Sequence, residues 1–366
     1  MIIKTNIPQK FDGCDRVVVL DDSRANTSIK LLQITDMQFI DSSQLRAPDR
    51  LRIDEINAWK RENFDVECAD HIKSLIAQTK PDLIFITGDI VYGQFDDNGT
   101  SFKWFCSFMD SFKIPWAPVY GNHDNETKMG VAWQNAQFEN SEYCLFKTGN
   151  VSGNGNYTVG IAVGDKLQRV LYMTDSNGCH DTNDENVVRI PGIYPDQMQY
   201  FADCKVKIAK QVGREVPAFM AFHIPTTDFL DGYRAKGYLK EPDDFFNIAV
   251  DVEQKDDDFG FKYEKSMCIP VEGFLDFVKS NNVDGVFVGH EHSICTCVSY
   301  EGIKWVFGLK TGQYDFHVVG STGGTLVTLR GDAFEVVHVP SLVKAGPYPG
   351  LSRIFEGYFA NHDKIE

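Results

Sequence analysis

Short apolar runs rich in β-branched and aromatic residues recur along the chain, the pattern of buried strands. The residues just beyond each run are the informative ones. "LLQIT" (31–35) runs into Asp36, with Gln38 two residues on, and "DLIFITG" (82–88) runs into Asp89, three residues before Tyr92. "WAPVYG" (116–121) delivers Asn122, His123 and Asp124. "PAFMAF" (217–222) ends at His223, and "GVFVG" (285–289) at His290, Glu291 and His292.

Between these runs the apolar positions change to helical spacing. "ECADHIKSLIAQT" (67–79), "SFKWFCSFMDSF" (101–112) and "VEGFLDFVKS" (271–280) each read as a helix leading to the next strand. Strand–helix–strand alternation implies right-handed crossovers and a largely parallel sheet. The carboxyl ends of such strands share one edge, where ligands bind. Five separated polar clusters are therefore expected to converge on one crevice. Beyond them, "HSICTCVSYEGIKWVFGL" predicts a hairpin around Glu301-Gly302, and "GTLVTLRGDAFEVVHV" another around Gly331-Asp332.

Asp, Asn and His together are oxygen and nitrogen donors suited to Mn, Fe, Zn or Mg, and no cysteine falls in the set. Two metals about 3.5–4 Å apart need a shared ligand, which a carboxylate supplies well. A site of this kind makes hydroxide from a bound water near neutral pH and clamps the oxygens of a phosphoryl group. An imidazole that is not a ligand can protonate the leaving alkoxide. A lone histidine, such as His71, His180, His317 or His338, reads as structural.

Composition narrows the class. The chain has 366 residues, 43% hydrophobic, enough for a large core. Its net charge of −16 opposes a general nucleic-acid or anionic-membrane surface. It leaves room for an anionic substrate, because bound metal ions dominate a local field. No apolar segment approaches the roughly 20 residues that span a bilayer. Nine cysteines without a CxxC pair, and a start without a signal-peptide pattern, predict a cytoplasmic location. Five N-x-S/T triplets point the other way, but one, Asn125, lies beside the catalytic candidates, where a glycan would obstruct.

The order D-x-Q, G-D, G-N-H-D, H, G-H-x-H resembles the calcineurin-like metallophosphoesterase superfamily. "ITDMQF", "TGDIVYG", "YGNHDN", "AFHIP" and "VGHEHS" match its five blocks in order, across roughly residues 28–295. The runs "GNYTVGI", "LYMTDSN" and "YPDQMQYF" are most similar to the branch related to purple acid phosphatases. The resemblance implies an α/β fold, a four-layer αββα sandwich of two mixed β-sheets with flanking helices. It also implies a dinuclear, metal-dependent hydrolase, a phosphatase acting on a phosphate monoester by attack of metal-bound hydroxide. The two cofactor ions would be divalent or trivalent iron, manganese or zinc. Asp36 and His292 would bind the first metal, Asp89 would bridge, and Asn122, His223 and His290 would bind the second. His123 would be the acid or phosphate-orienting group, with Asp124 holding its imidazole.

The chain departs from the family at the first block, where many members have D-x-H. Either Tyr92, at the spacing of the G-D-x-x-Y tyrosine of purple acid phosphatases, ligates the first metal while Gln38 hydrogen-bonds nearby, or the Gln38 amide is itself a ligand and Tyr92 packs. The long segment between His223 and His290 is aromatic and charged, and Tyr233 and Arg234 are its candidates for substrate contact. "DSSQLRAPDRLR" (41–52), "TDSNGCHD" with Asp175 and His180, and "KTGQYDFH" (310–317) are further candidates for the crevice walls. The expected organisation is an N-terminal extension (1–27), one catalytic domain (28–340) and a peripheral tail (341–366). The substrate would be a phosphorylated small molecule or a phosphoprotein. A phosphodiesterase or nucleotide pyrophosphatase uses the same core, and a non-catalytic interaction platform is the reading from another class.

Overall fold

The computed structural model of the chain describes residues 2–3, 11–24, 27–41, 65–179, 184–185, 187–239, 241–243, 250–255, 257–313, 318 and 321–343. Most of the segment 41–52, His180, residues 314–317 with His317 among them, and the tail beyond 343 lie outside the described residues.

The strands are β1 (Ile2–Ile3), β2 (Arg16–Leu20), β3 (Ile29–Ile34), β4 (Leu83–Thr87) and β5 (Trp116–Val119). They continue with β6 (Tyr157–Val163), β7 (Lys166–Met173), β8 (Ala218–Ala221), β9 (Val250–Lys255) and β10 (Asp258–Lys262). The last are β11 (Val283–Val288), β12 (Ile294–Tyr300), β13 (Ile303–Phe307), β14 (Gly323–Arg330) and β15 (Ala333–Pro340). The helices are α1 (Asp65–Thr79), α2 (Thr100–Ser111), α3 (Val131–Asn140), α4 (Pro195–Val212), α5 (Asp228–Lys236) and α6 (Phe274–Ser280).

Two mixed sheets result. The larger has ten strands in the order β1-β2-β6-β7-β8-β11-β13-β12-β10-β9, and the smaller five in the order β15-β14-β3-β4-β5. Strands β3, β4 and β5 are parallel to one another, as are β7, β8, β11 and β13 and, nearer one edge, β2 and β6, while the remaining pairs are antiparallel. The two expected hairpins are present as β12–β13 and β14–β15.

Alternation along β8 shows how the layers are built. Phe219 and Ala221 join the core between the sheets, whereas Ala218 and Met220 join the core on the opposite face. Between the sheets, Phe85 of β4 meets Phe287 of β11 edge-on with ring centroids 5.4 Å apart. Outside the smaller sheet, α1 packs on β3 and β14, and Phe105 of α2 and Phe138 of α3 abut Trp116 of β5. Outside the larger sheet, Phe201 of α4 meets Tyr172 of β7, α5 packs on β12 and α6 on β11. Both faces of each sheet are covered in this way, which is why the central strands read as unbroken apolar runs.

Local chemistry sets the helix ends. The Asp96 carboxylate accepts the backbone N–H groups of Ser101 and Phe102 at 2.9 and 3.0 Å, capping α2. Helix α4 starts on Pro195 and is closed by Gly213 in the left-handed conformation.

One expectation changes. The five strand ends do not line a single parallel sheet: β3, β4 and β5 belong to one sheet, β8 and β11 to the other. Periodicity identifies strands but not partners, so the division is invisible along the chain. The edges still meet. In β3, buried Gln33 donates through its Nε2 to Thr87 Oγ1 of β4 and to the Val288 carbonyl of β11, both at 2.9 Å. This amide bridges the sheets just beneath the polar clusters.

Candidate metal centre

Three of the five clusters leave their strands in a strained backbone. Asp36, Gln38, Asp89 and His290 have φ of 52°, 50°, 48° and 75°, a region that costs a non-glycine residue about 1–3 kcal/mol. Interlocking hydrogen bonds hold them there. The N–H of Asp36 donates to the Gly88 carbonyl at 3.1 Å, and that of Gln38 to the Asp89 carbonyl at 2.9 Å. The His123 N–H donates to Asp89 Oδ1 at 2.9 Å, and the His290 N–H reaches the Asp36 carboxylate at 3.1–3.2 Å.

Two glycines make room for the carboxylates. A Cβ on Gly121 would sit 2.1 Å from Asp89 Oδ1, and one on Gly289 would sit 2.1 Å from Thr35 Oγ1 and 2.6 Å from Asp36 Oδ2. Glycine in "YGNHD" and "VGHEH" is thus a steric requirement of the site.

Donor atoms of Asp36, Asp89 and His223 lie within 4.8 Å of one another, all buried. His223 Nε2 is the centre of the set, at 3.1 Å from Asn122 Oδ1, 3.3 Å from Asp89 Oδ2 and 3.3 Å from His290 Nδ1. Its Nδ1 lies 2.7 Å from the Thr87 carbonyl, which fixes the ring with Nδ1–H donating and Nε2 facing the other donors. His292 Nε2 lies 3.5 Å from Asp36 Oδ1 on the other side. Oxygen and imidazole donors packed this closely suit a hard-to-borderline cation. No thiol joins them.

The electrostatics agree. Burial opposes ionisation of Asp89, yet His223 and His123 hold its pKa far below the usual carboxylate range. Burial likewise opposes ionisation of Asp36, and the hydrogen bond from His292 with the charges of His223, His292 and Lys310 carries its pKa down. His223 is raised to about 9, because Asp89 and Asp36 outweigh the burial that disfavours its charged form. His290, pushed the other way by burial and by His223, falls to about 3.

His123 stands beside this cluster. Its Nδ1 lies 2.9 Å from Glu126 Oε2, and since a carboxylate only accepts, Nδ1 carries the hydrogen. The Tyr92 ring stacks on the imidazole, with centroids 4.3 Å apart and planes at 28°. Tyr92 also packs with Ile40 and Phe95 in a small apolar cluster.

Asp124 does not hold the imidazole. Its Oδ1 accepts the N–H groups of Ile90 and Val91 at 2.8 and 3.0 Å, and its Oδ2 that of Gly121 at 2.7 Å. Burial and the neighbouring Asp89 push its pKa up to about 7, while these bonds pull against the rise. Asp124 therefore ties the loop after β4 to the loop after β5, and Glu126 is the carboxylate that meets the imidazole. Glu126 was legible in principle, since it follows His123 by three residues in a short helical turn.

At the departing position, Lys310 Nζ donates to Gln38 Oε1 at 2.6 Å. The two substrate candidates lie elsewhere. Tyr233 is buried, with its hydroxyl 2.6 Å from Thr296 Oγ1, and Arg234 pairs with Asp231 and Glu241 at the surface. Asp175 forms a turn, accepting the Asn154 and Asn177 N–H groups at 2.7 and 2.8 Å. His71 is buried against Gln313, and half-buried His338 lies 3.0 Å from Thr325 Oγ1.

A cavity of about 620 Å³ opens from the cluster. Asn122, His123 and His290 form its floor, and Ile224, Pro191, Met267 and Ile269 are among its apolar walls. Arg189 and Lys265 add two cationic side chains. Both sit in loops without periodic pattern, so nothing in the sequence singled them out. No helix among the described residues is long and apolar enough to cross a membrane.

A family profile described as calcineurin-like phosphoesterase matches residues 29–293, which contain every strand end of the cluster. The chain is similar to "Probable inactive purple acid phosphatase 29" of Arabidopsis thaliana, 24% identical over 328 residues, covering 81% of this chain and 75% of the relative. It is also similar to "Phosphatase DCR2" of Saccharomyces cerevisiae, 26% identical over 232 residues, covering 60% of this chain and 38% of that one. Among solved structures, a dimetal phosphatase from Danio rerio is similar at 12% identity and a TM-score of 0.49, covering 86% of this chain and 99% of the other. With the matched profile spanning most of the chain, this protein belongs to the calcineurin-like phosphoesterase family.

Proposed function

We propose that the protein hydrolyses a phosphate monoester at a pair of metal positions. Asp36 and His292 serve the first, Asn122, His223 and His290 the second, and Asp89 is shared. The observation that carries the reading is the convergence of Asn122, Asp89 and His290 on His223 Nε2, with His123 alongside and held by Glu126. Iron, manganese and zinc all suit this donor set. Such ions supply a nucleophilic water at neutral pH and neutralise charge on the phosphoryl oxygens.

The residues do the rest. Asp89 and Asp36 are kept ionised and ready to ligate, and their glycine neighbours leave them space. His123, with Nδ1–H directed at Glu126, offers Nε2 to the leaving oxygen, and the Glu126 carboxylate stabilises the imidazolium that donates the proton. The cavity takes the ester's organic body. Arg189 and Lys265 favour the greater charge of a monoester over that of a diester.

The name of the Arabidopsis relative, which calls that protein inactive, raises a second reading, a phosphoesterase fold kept as a non-catalytic platform. The complete donor cluster and the oriented His123 favour the enzyme. Hydrolysis of p-nitrophenyl phosphate and bis(p-nitrophenyl) phosphate, after loading with manganese, iron or zinc, separates the possibilities. The monoesterase releases p-nitrophenolate much faster from the first compound, a diesterase does so from the second, and the platform turns over neither.

A further inference from the structure

Lys310 is the unexpected member of the site. It is 2% exposed and lies just past β13, in a stretch pinned to both sheets. The Gly308 N–H donates to Val288, the Thr311 N–H to Thr35 at 2.9 Å, and the Gly312 N–H to the carbonyl of Asp36 at 3.3 Å. The stretch presses so closely on the first block that a Cβ on Gly312 would lie 2.2 Å from the Met37 carbonyl. The ammonium is consequently fixed. It donates to Gln38 Oε1 at 2.6 Å and to the Asp36 backbone carbonyl at 2.8 Å.

We propose that Lys310 takes the Gln38 amide out of the ligand set and makes the two metal positions unequal, so that one ion is held tightly by Asp89, Asn122, His223 and His290 and a second only weakly by Asp36, His292 and Asp89. The inference rests on the metal-centre reading above.

Three observations support it. The amide oxygen, the only atom Gln38 has to offer a cation, already accepts a short charge-assisted hydrogen bond. A buried ammonium beside Asp36 repels a cation there and offsets one of the two carboxylate charges that would attract it. The Asp36 carboxylate is also engaged, accepting the Thr35 hydroxyl at 2.7 Å and the His290 N–H. Around His223 Nε2, in contrast, three other donors crowd within 3.3 Å.

Titration of the metal-free full chain with Mn(II), followed by calorimetry and electron paramagnetic resonance, tests this without reference to turnover. The expected result is one tight equivalent with the six-line signal of an isolated ion, then a second equivalent at least about tenfold weaker, the scale of effects from groups around a metal site. Exchange-coupled signals appear only with that second equivalent. Lys310→Met tightens the second event by about the same factor, with circular dichroism confirming the fold. Two ions of equal affinity in the unaltered protein overturn the proposal while leaving the metal-centre reading intact, and they do so whether or not the variant folds. An unchanged second event in a folded Lys310→Met also overturns it. No tight equivalent at all overturns both.

Discussion

Nδ1 of His123 lies 2.9 Å from Oε2 of Glu126, a contact closed within one short helical turn. The Glu126 side chain is fully buried, whereas the imidazole keeps some exposure and lines the cavity. One buried carboxylate thus sets the tautomer and direction of the imidazole to which the proposed function gives the proton transfer.

Substitution at this pair should affect chemistry rather than metal content. His123→Ala is expected to lower kcat by about 10²–10⁴ for phenyl phosphate, the usual contribution of a general acid. The loss is smaller for p-nitrophenyl phosphate, whose leaving group needs less protonation. Glu126→Gln keeps the hydrogen bond but removes the charge, and a loss of about 10- to 100-fold is expected. Steady-state rates on both esters, with metal analysis of each variant, check this. Loss of metal in His123→Ala would contradict the assignment.

Steric demands at the carboxylates provide a second test. Gly121→Ala would force a methyl into Asp89 Oδ1, and Gly289→Ala would force one into Thr35 and Asp36. Each is expected to destabilise the fold by about 1–3 kcal/mol, the range for overpacking, and to weaken metal binding. Chemical denaturation with and without metal reads both effects.

Tyr92 and Gln38 are the positions where the sequence left two readings open. The stacking of Tyr92 on His123 gives the ring a positioning role that a phenyl group retains. Tyr92→Phe is therefore expected to keep metal content and most activity, with no loss of a visible absorption band. Tyr92→Ala should lower kcat. A phenolate-to-iron band abolished in Tyr92→Phe would instead make Tyr92 a ligand.

The cationic lining of the cavity predicts a change in binding. Arg189→Ala with Lys265→Ala is expected to raise KM for a monoester by about 30-fold, since each of the two charge contacts is worth on the order of 1 kcal/mol in a partly exposed site. Discrimination against a diester should fall. Arg234→Ala, which removes only surface pairs with Asp231 and Glu241, should change neither KM nor kcat.

Much of the site was readable along the chain because strand ends carry chemistry in this architecture. Asp36, Asp89, Asn122, His223 and His290 each come directly after an apolar run, and the structure gathers them at one edge. What could not be read depends on contacts between distant segments. The division of the five strands between two sheets is one case. Lys310 is another, since its ammonium meets Gln38 only because the chain after β13 folds back over the first block. Asp124 sits next to His123 in sequence, but a residue's neighbour in the chain need not face the same way. Its carboxylate turns to the Ile90 and Val91 amides, and Glu126 reaches the ring instead. Tyr233 and Arg234 drew attention as an aromatic and a cation in a long segment, yet α5 directs one into the core and the other to solvent.

The most direct measurement is the rate of p-nitrophenyl phosphate hydrolysis by folded protein, first stripped with a chelator and then titrated with Mn(II) or Fe(II). The account predicts turnover that is absent without metal, returns with it, and is lost in Asp89→Asn along with bound metal. A folded protein that binds metal through Asp89 yet hydrolyses neither this ester nor phenyl phosphate under any loading would contradict it.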